Sequence, residues 1–458
     1  MSRIKSSRWW AVAPPALAVA MVAAASVMPA GGSVVSNPPR PVEVVESSYA
    51  CPGGSIITLA AGQVRPGASR TVHLSPEGTP DPDLSDAGVW STASVDAAGA
   101  IITETGRDTG ASGFFAGRAP ASGGGGLVVG ECAGVIDDAW FLGAGSGDRH
   151  FSTLILTNLS STPAVADILL WGPDGPVDAV NASGVTLAPY EIRRTPVADL
   201  AAGEAALAIE VVRTRGSMSA IVNDSSTATF AGTEPISATL TPTRDQYVGG
   251  VVGGARGKTL MLLNPGESTA RVDVEVLARS GTFAGKGLQD IKVEPGQFLE
   301  VEVPAEVGKG RQAFHVSSDQ PVAASVRVSA NAKDYSIAEA TAPLDGVALV
   351  PVSAGSNVKI PELVLTAPGK TSSVDIEAFD ASMKSLASSS VGVEGGTTVH
   401  VASVNSKDPY ASDVAYVVVR GTGGVIAAAQ YVKGEGVSSL ALRAAPVVVS
   451  APSVRRID

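Results

Sequence analysis

The segment TLMLLNPGESTARVDVEVL, residues 259–277, decides the fold class. Between positions 271 and 276 a charged residue alternates strictly with valine, and Asn264-Pro265-Gly266 separates this run from an apolar one. Alternation with a period of two places one face of a strand on a core and the other face in water. Pro-Gly marks a turn. The segment therefore predicts two β-strands joined by a turn.

Two further segments repeat this pattern. TLILTNLSSTPAVADILLW stands at 153–171, offset by 264 − 158 = 106 positions, so that Asn158 matches Asn264. ELVLTAPGKTSSVDIEA follows at 362–378 with Ala367 in the matching place. A period near 100 residues is the size of a domain and not of a solenoid turn. About seven short alternating runs in each copy are typical of an antiparallel β-sandwich.

The region before the three copies is less regular. It contains a turn-rich stretch and four consecutive glycines, together with short apolar runs. We interpret it as a fourth, degenerate β domain. The predicted organisation of the chain is a signal or anchor, a Pro/Gly/Ser linker, this domain, two repeats, and a third repeat with a C-terminal strand, at residues 1–30, 31–48, 49–137, 138–242, 243–345 and 346–458.

The fold prediction is thus all-β: tandem antiparallel sandwiches, of the immunoglobulin or fibronectin type, after an N-terminal signal or anchor helix. Consecutive domains of this kind predict a rod. Two glycine-rich stretches, at 143–147 and 248–254, occupy equivalent places in two repeats and lack the Lys-Ser/Thr ending of a phosphate-binding loop. We interpret them as a shared turn between strands.

The N-terminus has the pattern of an export signal. MSRIKSSRWW is basic, and residues 11–30 carry no charge. A cationic start and an apolar middle direct export, and the positive flank stays cytoplasmic. We expect the domains to lie on the extracellular side of the cell membrane, anchored by the N-terminal helix or secreted if the segment is cleaved. Either outcome fits the sequence.

The chain contains two cysteines, Cys51 and Cys132, at the two ends of the degenerate domain. In an exported protein an even count predicts a disulfide. The alternative is a pair of buried free thiols. A metal site is not expected, because neither C-x-x-C nor a histidine within a few residues of either cysteine is present.

The sequence contains little that predicts chemistry. A net charge of −11 argues against nucleic acid, since that affinity depends on clustered Lys and Arg. No G-x-S-x-G motif and no HExxH spacing occur. We therefore predict no catalytic residue, no metal and no cofactor. Only four histidines are present: His73, His150, His315 and His400. His150 alone stands near other polar residues, and all four are predicted to be ordinary structural or surface residues.

Several of these features together resemble an actinobacterial family of exported or membrane-anchored proteins whose domain has no known function. They are the N-terminal anchor, Cys51-Pro52, the second cysteine before Asp138-Ala139-Trp140-Phe141, and the repeated Leu-x-Leu-x-Asn-Pro-Gly segments. The likeness covers roughly residues 45–450. The first repeat departs from it with Leu159, and the third with Ala367. The resemblance implies an exported location and brings no activity.

The leading functional hypothesis is an exported, non-enzymatic cell-envelope protein that serves as a structural or protein-interaction scaffold. Its partners would be the membrane, through the N-terminal segment, and envelope proteins. The alternative is a module that binds cell-wall glycan. Beyond the anchor the tryptophans are Trp90, Trp140 and Trp171, too few for an extended aromatic platform. An enzyme is the third and weakest hypothesis, because no nucleophile–base pair or metal cage is recognisable.

Overall fold

A computed structural model describes most of the chain from residue 40 onwards. The described ranges are 40–53, 57–62, 69–75, 85–86, 90–94, 99–107, 110–119, 125–228, 230–251, 257–308, 310–329, 333–352, 361–401, 413–445 and 448–451. The predicted signal or anchor at 1–30 and the start of the linker lie outside them. Among the described residues, no helix is long and apolar enough to span a bilayer.

The chain divides into two compact units. One consists of Met1–Glu43 and Val448–Asp458, in which strand β1 (Arg40–Glu43) pairs antiparallel with strand β35 (Val448–Ala451). The other unit is Val44–Val447. It contains all the remaining strands.

Residues 46–441 form four antiparallel β-sandwiches. The first sandwich consists of β2 (Glu46–Pro52), β3 (Ile57–Gly62), β4 (Ser69–Ser75), β5 (Ser91–Ser94), β6 (Gly99–Thr105), β7 (Ser112–Arg118) and β8 (Leu127–Glu131). The second consists of β9 (Asp138–Ala144), β10 (Ser146–Gly147), β11 (His150–Asn158), β12 (Ala164–Gly172), β13 (Gly175–Val177), β14 (Val185–Leu187), β15 (Ile192–Pro196), helix α1 (Val197–Leu200), β16 (Leu207–Arg215), β17 (Met218–Thr227) and β18 (Ala231–Ile236).

The other two sandwiches follow after short connections. The third consists of β19 (Thr243–Val251), β20 (Gly257–Leu263), β21 (Ala270–Ala278), β22 (Gly281–Ala284), β23 (Ile291–Val293), β24 (Phe298–Glu302), a 3-10 turn (Ala305–Val307), β25 (Gln312–Ser329) and β26 (Tyr335–Glu339). The fourth consists of β27 (Asp345–Pro351), β28 (Glu362–Ala367), β29 (Ser372–Phe379), β30 (Ser385–Val393), β31 (Thr397–Val401), β32 (Tyr416–Thr422), β33 (Ile426–Lys433) and β34 (Gly436–Ala441).

All four sandwiches share one topology. In the fourth, the sheets have the orders β27-β32-β29-β30 and β31-β28-β33-β34. The first follows the same plan with β2-β6-β4 and β5-β3-β7-β8. In the third, the 18-residue β25 supplies one strand to each sheet. The all-β prediction is confirmed, and the region predicted to be degenerate has the same strand order as the others. Its first strand starts at Glu46, inside the predicted linker.

The repeated asparagine has one structural task in two sandwiches. Asn158 is fully buried, and its Nδ2 donates to the carbonyl oxygens of Thr162 and Ala188 at 2.7 and 2.9 Å. Asn264 Nδ2 donates to the carbonyl oxygens of Ser268 and Val293, which lie four and 29 residues onward, at 2.8 and 2.9 Å. Each asparagine ties the turn after its strand to a later loop. The repeated asparagine therefore has a structural role and is not part of a binding site.

The sandwiches pack on one another in order along the chain. The first shares its core with Ile155 of the second. The core of the second includes Met261 of the third. Gln430 of the fourth sandwich donates through its Nε2 to the carbonyl oxygen of Gly250 in the third, at 2.6 Å. The glycine-rich stretches were expected to be turns between strands, but part of each lies in a strand: Gly143 in β9 and Gly250 in β19. Both are places where a neighbouring sandwich approaches closely. Residues 252–254 lie outside the described residues.

A fourth contact closes these three into a cycle. Trp90 immediately precedes β5 of the first sandwich, but its side chain lies in the core of the fourth. There its ring stacks on Tyr416, with 4.8 Å between the ring centroids. Its backbone N–H donates to the carbonyl oxygen of Ala381 at 2.9 Å. The rod expected from the sequence is therefore wrong for Val44–Val447. The first and the last sandwich contact each other directly.

Candidate functional site: the polar centre of the four sandwiches

The last strand of each sandwich lies at the edge of its sheet, and these four edges meet. Strands β8, β18, β26 and β34 contact one another in turn, from the first sandwich around to the fourth. A sheet edge presents unpaired backbone N–H and C=O groups, which need partners once they are buried. Buried acidic side chains provide several of these partners. We call this region, with Glu234, Asp334, Glu339 and Ser438, the polar centre.

Asp334 joins three sandwiches. Its Oδ2 accepts the backbone N–H of Leu127 from the first sandwich at 2.9 Å and that of Val437 from the fourth at 2.8 Å. Its Oδ1 accepts the N–H of Tyr335 at 3.0 Å. Burial raises the pKa of Asp334 to about 7, although these N–H groups and Arg118 oppose the rise. A single carboxyl group thus bonds the edges of two sheets to a third.

Glu234 of the second sandwich meets Ser438 of the fourth. The Ser438 hydroxyl oxygen lies 2.9 Å from Glu234 Oε2, and it is 3.1 Å from both the backbone nitrogen and the carbonyl oxygen of Val129. A hydroxyl group has one hydrogen to donate. If it goes to the Val129 carbonyl, the contact with Glu234 is a hydrogen bond only when the carboxyl group carries a proton.

The surroundings of Glu234 favour that proton. The side chain is fully buried, and its pKa is raised well above the usual value, first by burial and then by the charges of Asp334 and Glu339. Glu339 accepts the backbone N–H of Ser237 at 3.0 Å, and burial raises its pKa to about 7 against the opposing charge of Arg443. The polar centre therefore holds three acids that are harder to ionise than in water.

A second buried cluster lies between the second and third sandwiches. Asp224 accepts hydrogen bonds from Ser152 Oγ and from the Tyr335 hydroxyl, both at 2.6 Å. His150 Nε2 lies 3.0 Å from Asp224 Oδ1, and its Nδ1 lies 2.8 Å from the carbonyl oxygen of Ala205. Both ring nitrogens face acceptors, which favours the imidazolium. Burial lowers the pKa of His150, but the hydrogen bond and charge of Asp224 outweigh it and the pKa is raised overall.

This cluster contains Ser, His and Asp but not the hydrogen-bond order of a nucleophilic triad. Such a triad needs the serine hydroxyl on a histidine nitrogen that can accept its proton. Here Ser152 donates to Asp224, and both His150 nitrogens face acceptors. All three side chains are buried. The cluster holds two sandwiches together in the manner of the polar centre.

The structure places the other predicted residues apart from one another. Cys51 and Cys132 form a disulfide, as the sequence predicts. His73 stacks on Tyr190, and the ring nitrogens of His315 lie 2.8 Å from Asp245 and 3.1 Å from Glu275 on neighbouring strands. His400 is exposed. The tryptophans beyond the anchor, Trp90, Trp140 and Trp171, are all buried. Trp140 and Trp171 stack on each other. Within the described ranges, no group of acidic, histidine or cysteine side chains has the arrangement of a metal site.

Sequence reasoning missed the acids of the polar centre, although one signal was available. In DYSIAEA, residues 334–340, Glu339 has the same parity as Tyr335 and Ile337, and all three are buried. A carboxyl group on the apolar side of a strand is expensive to bury unless it is bonded or protonated. That parity marks Glu339 as unusual. It does not reveal which sandwiches would surround it.

Comparison with known proteins assigns the chain to a family without an activity. A family model described as a family of unknown function, DUF5719, matches residues 89–403. The protein belongs to this family. The DUF5719 match runs from the middle of the first sandwich into the fourth, so it includes Glu234, Asp334 and Glu339. No curated protein and no solved structure matches the chain.

Proposed function

We propose that this DUF5719 protein is an exported, non-enzymatic scaffold of the cell envelope whose four sandwiches act as one rigid body. The observation that carries the proposal is the polar centre, where Asp334 bonds backbone groups of two other sandwiches. Domains joined only by linkers move independently by default. Buried bonds between non-neighbouring sandwiches oppose such motion.

A rigid body suits a scaffold because it fixes the relative positions of exposed loops. Association with a partner costs the ordering of whatever is mobile at the interface, and a preorganised surface avoids part of that cost. In this protein the loops of the first and fourth sandwiches are held together through Trp90 and Tyr416. A partner could contact both sandwiches without having to order them.

Export is supported by two independent features. The basic N-terminus followed by 20 uncharged residues, 11–30, is the pattern of an export signal. The Cys51–Cys132 disulfide suits an oxidising compartment outside the cytoplasm. We accordingly place the sandwiches on the outer side of the membrane, either anchored or released.

A non-enzymatic role is supported by what the reactive groups do. His150, Ser152 and Asp224 use their hydrogen-bonding capacity on each other and on neighbouring strands. Buried tryptophans also make the glycan-binding alternative weaker in the form that relies on tryptophan platforms. A protein–protein role requires neither feature.

The test is proximity labelling in intact cells of the source organism, with a peroxidase fused after residue 458 of the full chain and a membrane-impermeant biotin substrate. We expect labelling without lysis and a reproducible set of envelope proteins. A Trp90→Ala variant, which opens the cycle, should lose part of that set, whereas Val432→Ala, at an exposed side chain, should retain it. Labelling only after lysis would refute export. An identical set from both variants would refute the rigid scaffold.

A further inference from the structure

A cleft between the third and fourth sandwiches has the chemistry of a ligand site. It is an open cleft of about 560 Å³ between the β21–β22 hairpin, the turn that follows the 3-10 turn, and strand β31. Small-molecule sites usually fall between roughly 300 and 1,000 Å³. Three of its lining side chains are cationic or can become so: Arg279, Arg311 and His400. The acid among the lining residues is Glu306.

Arg311 supplies a donor that the protein does not use. One terminal nitrogen of its guanidinium pairs with Glu362. Its Nε is buried and has no acceptor among the described residues. One third of the Arg311 side chain is exposed, so other guanidinium nitrogens can donate to an acceptor on a ligand in the cleft. This is a reason to look for an oxygen-rich ligand.

Lys258 adds positive charge behind the wall of the cleft. Its ammonium donates to two lining residues, at 3.1 Å to the carbonyl oxygen of Gly308 and at 2.7 Å to Gln312 Oε1. Both acceptors are neutral. Burial lowers the pKa of Lys258 to about 8. An anion in the cleft would favour the charged lysine, so ligand charge and lysine charge would support each other.

The mouth of the cleft combines charge with an aromatic ring. Arg279 and His400 are exposed, and neither side chain makes an ion pair or a hydrogen bond among the described residues. Phe283 lines the same cleft and is 39% exposed. The face of a phenylalanine ring and a guanidinium group can together bind a ligand ring that carries a carboxylate.

We propose that this cleft binds an acidic saccharide, with the carboxylate on Arg279 and Arg311 and the sugar ring against Phe283. This goes beyond the proposed scaffold role and does not depend on it. It also supports a form of the glycan-binding alternative that does not depend on the tryptophans, which are buried.

The test uses the full chain, with glucuronic acid, glucose and inorganic phosphate as separate probes in titration calorimetry or ligand-observed NMR. Glucuronic acid should bind and glucose should not, and the affinity should fall as salt is raised. Arg279→Gln should weaken binding about tenfold or more, since it removes a charge-assisted hydrogen bond. Arg244→Gln is the matched control, because it makes the same charge change at an exposed position of the same sandwich outside the cleft.

Phe283→Ala separates the saccharide from a bare anion. It should weaken glucuronic acid and leave any weak phosphate signal unchanged. Equal responses to glucuronic acid and glucose would overturn the proposal, and so would equal losses from Arg279→Gln and Arg244→Gln. Binding of phosphate alone would also overturn it, because the site would then not recognise a sugar. Circular dichroism of each variant checks that the fold is intact.

Discussion

The third sandwich meets the fourth, and the fourth meets the first, through contacts of opposite chemistry. The former contact relies on small residues: an added Cβ at Gly250 would lie 2.4 Å from the Cβ of Ala428. The latter relies on a large aromatic, Trp90, stacked on Tyr416. The third and fourth sandwiches are thus joined by close backbone approach at Gly250, whereas the closing contact is a filled apolar core. The difference indicates that closure is encoded separately from the repeat.

The largest effect is expected from breaking the closing contact. Trp90→Ala removes a buried ring from the core of the fourth sandwich and should lower the free energy of unfolding by about 3–5 kcal/mol. Denaturant unfolding followed by circular dichroism measures this. Trp90→Phe should recover part of the loss. If Trp90→Ala lowered the free energy of unfolding no more than the substitution of an exposed residue does, the first and fourth sandwiches would not share a core.

The disulfide tests whether the first sandwich is stabilised independently. Cys132→Ser opens a link between residues 132 − 51 = 81 positions apart and should cost about 2–4 kcal/mol. Because Phe114 of the first sandwich lies in the core of the fourth, hydrogen exchange should increase in both. If hydrogen exchange increased only in residues 46–131, destabilisation of the first sandwich would not reach the fourth through the closing contact.

The small-residue contact is expected to be less sensitive. Gly250 has φ of +69°, so Gly250→Ala introduces both backbone strain and a clash with Ala428, at a cost of about 1–3 kcal/mol. Gly257→Ala is the matched control in the same sandwich, since no atom lies within 4 Å of the added Cβ. It should change the free energy of unfolding by less than about 0.5 kcal/mol. Equal effects would remove the argument for close packing at Gly250.

The buried acids of the polar centre predict that stability depends on pH. Burial raises the pKa values of Asp334 and Glu339 to about 7, and it also raises that of Glu234 well above its usual value. They stay protonated in the folded protein at pH values where the unfolded chain is ionised. The free energy of unfolding should therefore fall as the pH rises from about 4 through 7, and His150, with its raised pKa, contributes in the same direction.

Glu234→Gln isolates one of these groups. An amide keeps an oxygen for Ser439 N–H and contacts for Ser438, so the fold should persist. Thermal unfolding between pH 5.5 and 8 should show a smaller decline in the free energy of unfolding than in the unmodified protein. The control is Glu394→Gln, at an exposed position. A steeper decline, or stability that rises with pH in the unmodified protein, would contradict protonated acids at the centre.

The sequence predicts each sandwich better than it predicts their assembly. Alternating valines at 272–276 and the turn at Asn264 are local signals, and the structure has strands and a buried asparagine there. The cycle depends on contacts such as Trp90 with Tyr416, more than 300 positions apart, which no local pattern encodes. For the same reason Asp334 is simply a loop acid in the sequence. Its three backbone partners come from sandwiches that only the fold brings together.

Small-angle X-ray scattering of residues 44–447 tests the closed cycle most directly. A compact body of roughly 400 residues has a radius of gyration of about 22 Å. The account predicts a value close to this, and an increase in Trp90→Ala as the closing contact opens. A value about twice as large for the unmodified protein, as expected for a row of separate sandwiches, would contradict the cycle.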